Sequence, residues 1–401
     1  MLSPLNIVCL ATFFKGADFM RECKAAGCNI VLITKEKMLH EDWPRDVLDE
    51  VFALPNDAPV ELFLELVSHI AKTRMPHRII ALEEFDVMIA ALAREHLGLP
   101  GMSSSAAKVF RDKYAMAVRA RDAGLTVPEF VPIINTQEIS EYIGRVAPPW
   151  VLKPRSDVSA IGIRKLDNAE EVWAAVEELN KREALRERAS HHVLARFIPG
   201  EVFHVDSLVY DRRVMFAGVN KYGRPPLQVA HGGGAYVSQT IPDDSADKKK
   251  LLDINRRLIK AMRMQTGATH AEFIKSDADQ NFYFLEIAAR VGGAYIADVQ
   301  EAASGINLWR EWAKLEIADS RPRLKPRKEH AGIILSLARQ EYPDTSAYDD
   351  TEIVYRVKKR HHAGLIVRSR SHERVSQLLN DYGCRFENDF IAVLPPLERA
   401  E

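Results

Sequence analysis

The stretch that decides the fold is Ala271-Glu272-Phe273-Ile274 and, after a short gap, Phe282-Tyr283-Phe284-Leu285-Glu286-Ile287-Ala288-Ala289-Arg290-Val291-Gly292-Gly293. Each run begins as an apolar strand that carries one glutamate, and the polar residues 277–281 between the runs predict a turn. Antiparallel pairing of the two strands places Glu272 and Glu286 side by side on one face. Two carboxylates in this position repel each other unless a cation lies between them, and Mg²⁺ suits such oxygen ligands. The alternative is a pair of ordinary salt-bridged strand glutamates.

Two lysines stand in settings that suit phosphate binding. Lys113 lies in residues 105–123, whose pattern predicts one helix that ends at Gly124. Lys153 ends a strand-like apolar run and is followed, at residues 156–162, by a loop of mostly small and polar residues. A lysine offers phosphate a compact charge, and small residues let backbone N–H groups approach the anion. The alternative for Lys153 taken alone is a solvated side chain at a strand end.

A third segment predicts a hinge. The strand-like residues 193–198 break at Pro199-Gly200, and the chain resumes with Glu201. Such a break presents backbone groups to a nucleotide base and places Glu201 within reach of the sugar hydroxyls. An ordinary strand–turn–strand is the alternative for this segment in isolation.

Together and in this order, these segments resemble the ATP-grasp superfamily over about residues 97–316. The family pattern has an Asp-Lys helix, a second lysine before a phosphate loop, a hydrophobic hinge ending in Gly-x-Glu, and a Glu…Glu-x-x-x-Arg metal site. The resemblance implies that Lys113 and Lys153 bind phosphate, and that Glu272 and Glu286 bind Mg²⁺. It implies that adenine is bound by Arg196, Phe197 and Ile198, and that Glu201 contacts the ribose. It also implies that Arg290 supports the substrate or the acyl phosphate. Lys153 and Arg290 are the catalytic residues that it implies.

Two features depart from the family pattern. Ala288 stands where asparagine usually supplies a further metal ligand, and water is the expected replacement because Mg²⁺ keeps several waters readily. Asp157 and Val158 stand in the phosphate loop where small residues are usual. Neither feature removes a lysine or a metal carboxylate, so we expect an active enzyme.

The alternation of apolar strands and helices in the N-terminal part predicts an α/β fold with a parallel sheet. We expect strands at residues 5–11, 29–34, 51–54 and 78–82, and helices at residues 16–26 and 60–73. The predicted domains are an N-terminal Rossmann-like domain at 1–104, an ATP-grasp domain at 105–317 with a lid at about 125–200, and a small C-terminal α/β domain at 318–401. Ligands of such sheets bind beyond the carboxyl ends of the strands, where residues 83–86 offer three carboxylates to a substrate amine or cation. The alternative is that these are acids at a helix N-terminus.

Residues 228–236 contain three consecutive glycines and predict the most flexible loop of the chain. His231 in this loop is a candidate catalytic residue that acts on the substrate or orients it, and a solvent-facing histidine is the alternative. Elsewhere the pattern predicts helices at residues 169–186, with Asn168 as N-cap, 306–317 and 373–382, and strands at residues 333–338, 352–357, 364–370 and 390–394.

Composition narrows the class of protein. The chain of 401 residues carries 55 basic and 56 acidic residues, so its charge favours neither nucleic acid nor an anionic membrane as a partner. The four cysteines show no metal-ligand spacing and are expected as thiols in a reducing compartment. No apolar run has the length of a signal peptide core or a membrane span, so we expect a cytoplasmic protein. A homodimer is the commonest state of such enzymes.

We therefore expect an ATP-grasp ligase that joins a carboxylate and an amine into an amide or peptide through an acyl phosphate, with release of ADP and phosphate. ATP and Mg²⁺, or Mn²⁺ in its place, are the expected nucleotide and metal, and small-molecule acids and amines are the expected partners. Two alternatives stay open: a biotin-carboxylase-like enzyme that uses bicarbonate, and a non-catalytic ATP-binding module.

Overall fold

A computed structural model describes residues 4–157, 161–318, 321 and 323–392, and at residues 230 and 231 it describes the backbone only. Within these residues the strands form three sheets. One is the predicted parallel sheet near the N-terminus, one is a small antiparallel sheet, and one is a large sheet of eight strands. The α/β fold class predicted from the sequence is confirmed.

The N-terminal sheet has four parallel strands in the order β3-β2-β1-β4. Its strands are β1 Asn6–Leu10, β2 Asn29–Lys35, β3 Glu50–Leu54 and β4 Arg78–Ala81, and its helices are α1 Ala17–Ala25, α2 Val60–Thr73 and α3 Asp86–Leu97. The two central strands are almost entirely buried, as is usual when helices cover both faces of a parallel sheet. All four strands therefore point their carboxyl ends to the same edge, where residues 82–86 follow β4.

The segment predicted as one helix over residues 105–123 is two helices, α4 Ser104–Arg111 and α5 Lys113–Asp122. The single-helix prediction was wrong because Asp112 has extended backbone, with φ −104° and ψ 106°. Its carboxylate accepts hydrogen bonds from the N–H groups of Tyr114 and Ala115, so it caps the second helix. Lys113 is thereby placed at the first position of α5.

The lid consists of a four-stranded antiparallel sheet with two helices. Its elements are β5 Phe130–Pro132, α6 Thr136–Arg145, β6 Trp150–Pro154, β7 Arg164–Leu166, α7 Ala169–Asn180 and β8 His192–Arg196, and the strand order is β5-β8-β6-β7. The Asn168 side chain caps α7 as predicted, by accepting from the N–H of Glu171. The helix ends at Asn180 and not at residue 186, because the chain turns at residues 181–188 into a short 3₁₀ segment.

The large sheet has the order β13-β12-β9-β10-β11-β14-β16-β15, and each pair of neighbours is antiparallel. Its strands are β9 Gly200–Tyr210, β10 Arg213–Tyr222, β11 Tyr236–Thr240, β12 Gly267–Ser276, β13 Phe282–Ala288, β14 His330–Leu337, β15 Ile353–Arg356 and β16 His362–Ser369. Its helices are α8 Pro226–Gly232, α9 Ala246–Met262, α10 Ile296–Ser304, α11 Leu308–Ala318 and α12 His372–Asp389. The strands beyond residue 318 thus extend the same sheet that contains the two glutamates.

Two further predictions about the chain need correction. Residues 228–236 are not a loop throughout, because α8 occupies their first half, and Pro226 at its first position suits a helix start. The last predicted strand, at residues 390–394, is reduced to an isolated bridge between Ile391 and Ala338, since α12 continues to Asp389. Residues 393 and 394 lie outside the described part of the chain. Among the helices of the described residues, none combines the length and apolar character that crossing a membrane requires.

Candidate functional site

A cavity of about 760 Å³ lies between the lid sheet and the large sheet. Most of the residues singled out from the sequence line this one space. They are Lys113, Lys153, Arg196, Phe197, Ile198, Glu272, Glu286 and Arg290. Residues as far apart in the chain as Lys113 and Arg290 are therefore brought to a common site.

The two glutamates stand directly opposite each other. The register of β12 and β13 pairs Glu272 with Glu286, and an irregularity in the pairing follows immediately after Glu272. The predicted side-by-side arrangement is confirmed, because directly paired residues of antiparallel strands share a face of the sheet. Two carboxylates this close repel each other, so each of them needs a cationic partner.

Each glutamate has its own cationic partner. Lys113 Nζ lies 2.9 Å from Glu286 Oε2, and His270 Nε2 lies 3.3 Å from Glu272 Oε1. Burial raises the pKa of Glu286, but Lys113, Lys153 and His270 together outweigh burial and lower it to about 2. Both carboxylates are accordingly neutralised by groups of the protein itself.

The two lysines differ in their surroundings. Burial lowers the pKa of Lys113, but Glu286 and Glu84 raise it more, so the shift is upward and the ammonium stays charged. Burial also lowers the pKa of Lys153, and nearby Lys113 adds to this effect, so that its pKa falls to about 8. Of the two lysines, Lys153 is thus the one whose charge changes more readily near neutral pH.

Three consecutive residues hold the start of the predicted phosphate loop. Arg111 Nη2 donates to the carbonyl of Ser156 at 2.5 Å, and Lys113 Nζ donates to the carbonyl of Asp157 at 2.7 Å. Between them, Asp112 forms a paired contact with the guanidinium of Arg155. The break between α4 and α5 therefore places residues 111–113 in contact with the start of the loop. Val158, which departs from the family pattern, lies outside the described residues together with 159 and 160.

Arg290 is anchored by the N-terminal sheet. Its Nε and Nη2 donate to Glu84 Oε2 at 3.1 and 2.7 Å, and the other oxygen of Glu84 accepts from Arg111 at 2.6 Å. Burial lowers the pKa of Arg290, but Glu84 and Glu83 raise it by more, so the net shift is upward and the guanidinium stays charged. Of the three carboxylates after β4, proposed from the sequence to bind an amine or cation, Glu84 contacts these two arginines and Glu83 contacts Lys15. Asp86 instead accepts a hydrogen bond from the N–H of Thr12.

The remaining predicted residues occupy different positions. Arg196, Phe197 and Ile198 follow or end β8 and line the cavity. Glu201 is absent from the lining residues, and its exposed carboxylate pairs with Lys221 Nζ. The side chain of His231 lies outside the described residues, although Leu227, Gln228 and Val229 of the same helix line the cavity.

Sequence reasoning missed a group of polar residues beside Glu272. Tyr222 OH donates to Glu272 Oε1 at 2.6 Å, and His270 contacts the same oxygen. Burial lowers the pKa of His270, but Asp206 and then Glu272 raise it to about 9. A signal was present, because residues two apart on a strand share a face and His270 precedes Glu272 by two positions.

The donor set fits a hard divalent cation. Two carboxylates face each other across neighbouring strands, and two lysines beside them match the charge of nucleotide phosphates. Such oxygen ligands suit Mg²⁺ or Mn²⁺, which complete their shells with water and phosphate. Ala288 offers no side-chain oxygen, so these two glutamates would be the carboxylate ligands.

Comparison with known proteins agrees with this geometry. Residues 146–298 match the ATP-grasp domain family. The L-arginine-specific L-amino acid ligase of Bacillus subtilis is 23% identical over 296 residues, which cover 72% of this chain and 69% of that protein.

Solved structures share the fold over nearly the whole chain. An L-amino acid ligase from Bacillus licheniformis superposes with a TM-score of 0.74 at 16% identity, covering 97% of this chain and 98% of that one. The biotin carboxylase domain of the Hydrogenobacter thermophilus 2-oxoglutarate carboxylase gives 0.72 at 16% identity, covering 94% and 88%. The chain therefore contains an ATP-grasp domain at residues 146–298, and its overall fold is the one that these solved structures share.

Proposed function

We propose that the chain is an ATP-dependent carboxylate–amine ligase that forms an amide or peptide through an acyl phosphate. The observation that carries the proposal is the pairing of Glu272 with Glu286 in a cavity that also contains Lys113 and Lys153. Two carboxylates and two ammonium groups match the charges of a metal–nucleotide complex. A reaction of this kind needs positioning and charge neutralisation more than a protein nucleophile.

The nucleotide would lie between the hinge and the lysines. Phe197 and Ile198 offer apolar surface to adenine, and Lys113 and Lys153 stabilise the charge of the phosphates. Mg²⁺ held by Glu272 and Glu286 would neutralise phosphate oxygens in the transition state. We retain Glu201 as the proposed ribose contact, which requires its carboxylate to leave Lys221 when nucleotide binds.

Two transfers follow from the proposed chemistry. An oxygen of the substrate carboxylate attacks the γ-phosphorus of ATP, and the bond to ADP breaks. The amine nitrogen then attacks the acyl carbon, loses a proton and expels phosphate. Arg290, held in place by Glu84, and the N–H groups of Gly292 and Gly293 stabilise the oxyanion of the second step. His231 remains a proposed residue for substrate orientation.

The relatives support a substrate class. The curated relative is an L-amino acid ligase specific for L-arginine, and the B. licheniformis structure is also named as an L-amino acid ligase. We therefore propose amino acids as the first acids and amines to test. We also propose that the protein acts in the cytoplasm as a homodimer, which is the commonest state of soluble enzymes.

Phosphate release from Mg-ATP, measured against amino acids and small acids singly and in pairs, tests the function. We expect release that requires one acid and one amine, and loss of release in Glu286→Gln. The matched control is Glu177→Gln, which changes a glutamate exposed on α7 and should leave the rate unchanged. If ATP binds but no pair of acid and amine causes phosphate release, a non-catalytic ATP-binding module is favoured instead.

One alternative reaction has a structural observation behind it. The fold likeness to a biotin carboxylase domain makes bicarbonate a candidate co-substrate. Phosphate release that depends on bicarbonate and needs no amine would favour this second function over amide formation.

A further inference from the structure

A buried polar network lies beside Glu272 on the same face of the large sheet. The register of β9 and β12 pairs Asp206 with His270 and His204 with Glu272. His204 and Asp206 are fully buried, and His270 is 8% exposed. Polar groups in such a place must have partners, because an unpaired buried group costs free energy.

Asp206 joins the two imidazoles. His204 Nδ1 donates to Asp206 Oδ2 at 2.6 Å, and His270 Nδ1 donates to Asp206 Oδ1 at 2.8 Å. The other nitrogen of His204 lies 2.7 Å from Ser238 Oγ. The three side chains are near enough to share a metal ion, but each carboxylate oxygen already meets a different N–H group. Protons therefore satisfy this network, and it is better described as a support for His270.

The network ends at one oxygen of the predicted metal ligand. A carboxylate only accepts hydrogen bonds, so His270 Nε2 donates to Glu272 Oε1, at 3.3 Å. Tyr222 OH donates to the same oxygen at 2.6 Å. From the described residues Oε2 of Glu272 accepts no hydrogen bond, and it is the oxygen left for a ligand.

We propose that Asp206 and His270 are positioning residues that hold Glu272 with one carboxylate oxygen committed to the protein and the other available to the divalent cation. This inference rests on the proposed function, since it takes Glu272 as a metal ligand. Partners behind a metal ligand fix its orientation, and their loss typically weakens metal affinity by about 10–100-fold. The same support distinguishes the two glutamates. Among the described residues the ion pair of Lys113 is with Glu286 itself, and its Nζ also donates to the phosphate loop.

Two substitutions of His270 distinguish its two hydrogen bonds, the one that positions Glu272 and the one that pairs with Asp206. Glutamine places its amide N–H near the position of Nε2, so His270→Gln keeps the donor to Glu272. Asparagine places its N–H near the position of Nδ1, so His270→Asn keeps the donor to Asp206 only. A residue with a merely structural role would tolerate asparagine better than glutamine.

The measurement is Mn²⁺ binding to the full chain in the presence of ADP, followed by water-proton relaxation, with ADP binding in EDTA measured in parallel. We expect His270→Asn to weaken Mn²⁺ binding by about 10-fold or more, His270→Gln to stay close to wild type, and metal-free ADP binding to stay unchanged in both. Asp206→Asn should weaken Mn²⁺ binding in the same direction. Tyr222→Phe, which removes the second donor to Oε1, provides a further variant should Asp206→Asn not fold.

The controls distinguish this inference from the proposed function. Glu272→Ala defines the metal site: if wild type binds Mn²⁺ no better than this variant, the metal assignment itself is wrong. If Mn²⁺ binding depends on Glu272 while His270→Asn binds as wild type does, the assignment stands and the positioning role is overturned. Equal weakening by asparagine and glutamine would also overturn it, because retention of the donor to Glu272 would then have no effect.

Discussion

Lys113 Nζ contacts Glu286 Oε2 at 2.9 Å, so the lysine predicted to bind phosphate is paired with the glutamate predicted to bind metal. In this pair each residue neutralises the other. Nucleotide and metal would separate this pair, giving the ammonium to a phosphate and the carboxylate to the cation. The contact therefore explains how the two buried charges can lie next to each other in the fold.

Removal of this lysine should destabilise the fold in a pH-dependent way. Burial alone would raise the pKa of Glu286, but Lys113, with smaller contributions from Lys153 and His270, lowers it from 4.5 to about 2 in the folded chain. A lowered carboxyl pKa stabilises the folded state above about pH 4.5, and this contribution is lost as the pH falls toward 2. Urea unfolding of wild type and Lys113→Met should therefore differ more at pH 7 than at pH 3.5.

The control for this prediction is Lys181→Met, which removes a lysine whose side chain is 73% exposed and paired with Glu177 on the surface. Exposed pairs of this kind contribute little, so this variant should match wild type at both pH values. A difference between wild type and Lys113→Met that stays constant from pH 7 to 3.5 would contradict the coupling of Lys113 to Glu286.

The proton on Lys153 should control metal-free ATP binding. Its pKa is lowered to about 8, so the ammonium that attracts phosphate is lost as the pH rises through this value. Calorimetric titration in EDTA should show wild-type affinity falling between pH 7 and 9. Lys153→Arg should show a flatter profile, because arginine stays protonated throughout. Parallel profiles for the two proteins would rule out Lys153 as the titrating group.

Two substitutions of Asp112 should separate helix capping from loop attachment. Asparagine caps helices as well as aspartate but cannot form the ionic contact with Arg155. Asp112→Asn should therefore keep the stability of α5 and weaken ATP binding. Asp112→Ala should weaken ATP binding and also lose about 0.5–2 kcal/mol of unfolding free energy.

Chemical denaturation and nucleotide titration of the same two samples test this separation. Normal ATP affinity in Asp112→Asn would mean that the contact between Asp112 and Arg155 does not hold the loop in a binding form. An equal loss of unfolding free energy in both variants would mean that capping by residue 112 does not stabilise the beginning of α5.

The packing of α10 on the large sheet should depend on a glycine. A Cβ at Gly218 would stand 1.8 Å from Oε1 of the buried Gln300, so Gly218→Ala should cost about 1–3 kcal/mol by overpacking. Gly144 in α6 has open space at the Cβ position, and Gly144→Ala should stabilise by about 0.5–1 kcal/mol. Thermal unfolding of both variants tests the pair, and equal midpoints would contradict it.

Features that depend on neighbouring residues were predictable from the sequence. The pairing of Glu272 with Glu286 follows from a short turn between two strands, because a hairpin fixes its own register. The break at Asp112 was missed because helical periodicity continues through it. The cap itself is a local feature, but only the contact with Arg155, 43 positions away, shows that the same carboxylate also anchors the start of the loop.

Features that depend on distant pairing could not be predicted in this way. His270 and Asp206 are 64 positions apart, and only the alignment of β9 with β12 brings them together. Likewise, nothing local in residues 330–337 indicates that they pair with β11. Strand neighbours are determined by the packing of the whole sheet, which the pattern of a single sequence does not reveal.

The continuous large sheet has a consequence for how this chain can be divided. The strands β14, β16 and β15 cover the free side of β11, so a chain ended at residue 318 would expose the N–H and C=O groups of that strand to solvent. An open strand edge is a template for pairing with other molecules. Shortened versions that keep every residue lining the cavity would therefore tend to aggregate.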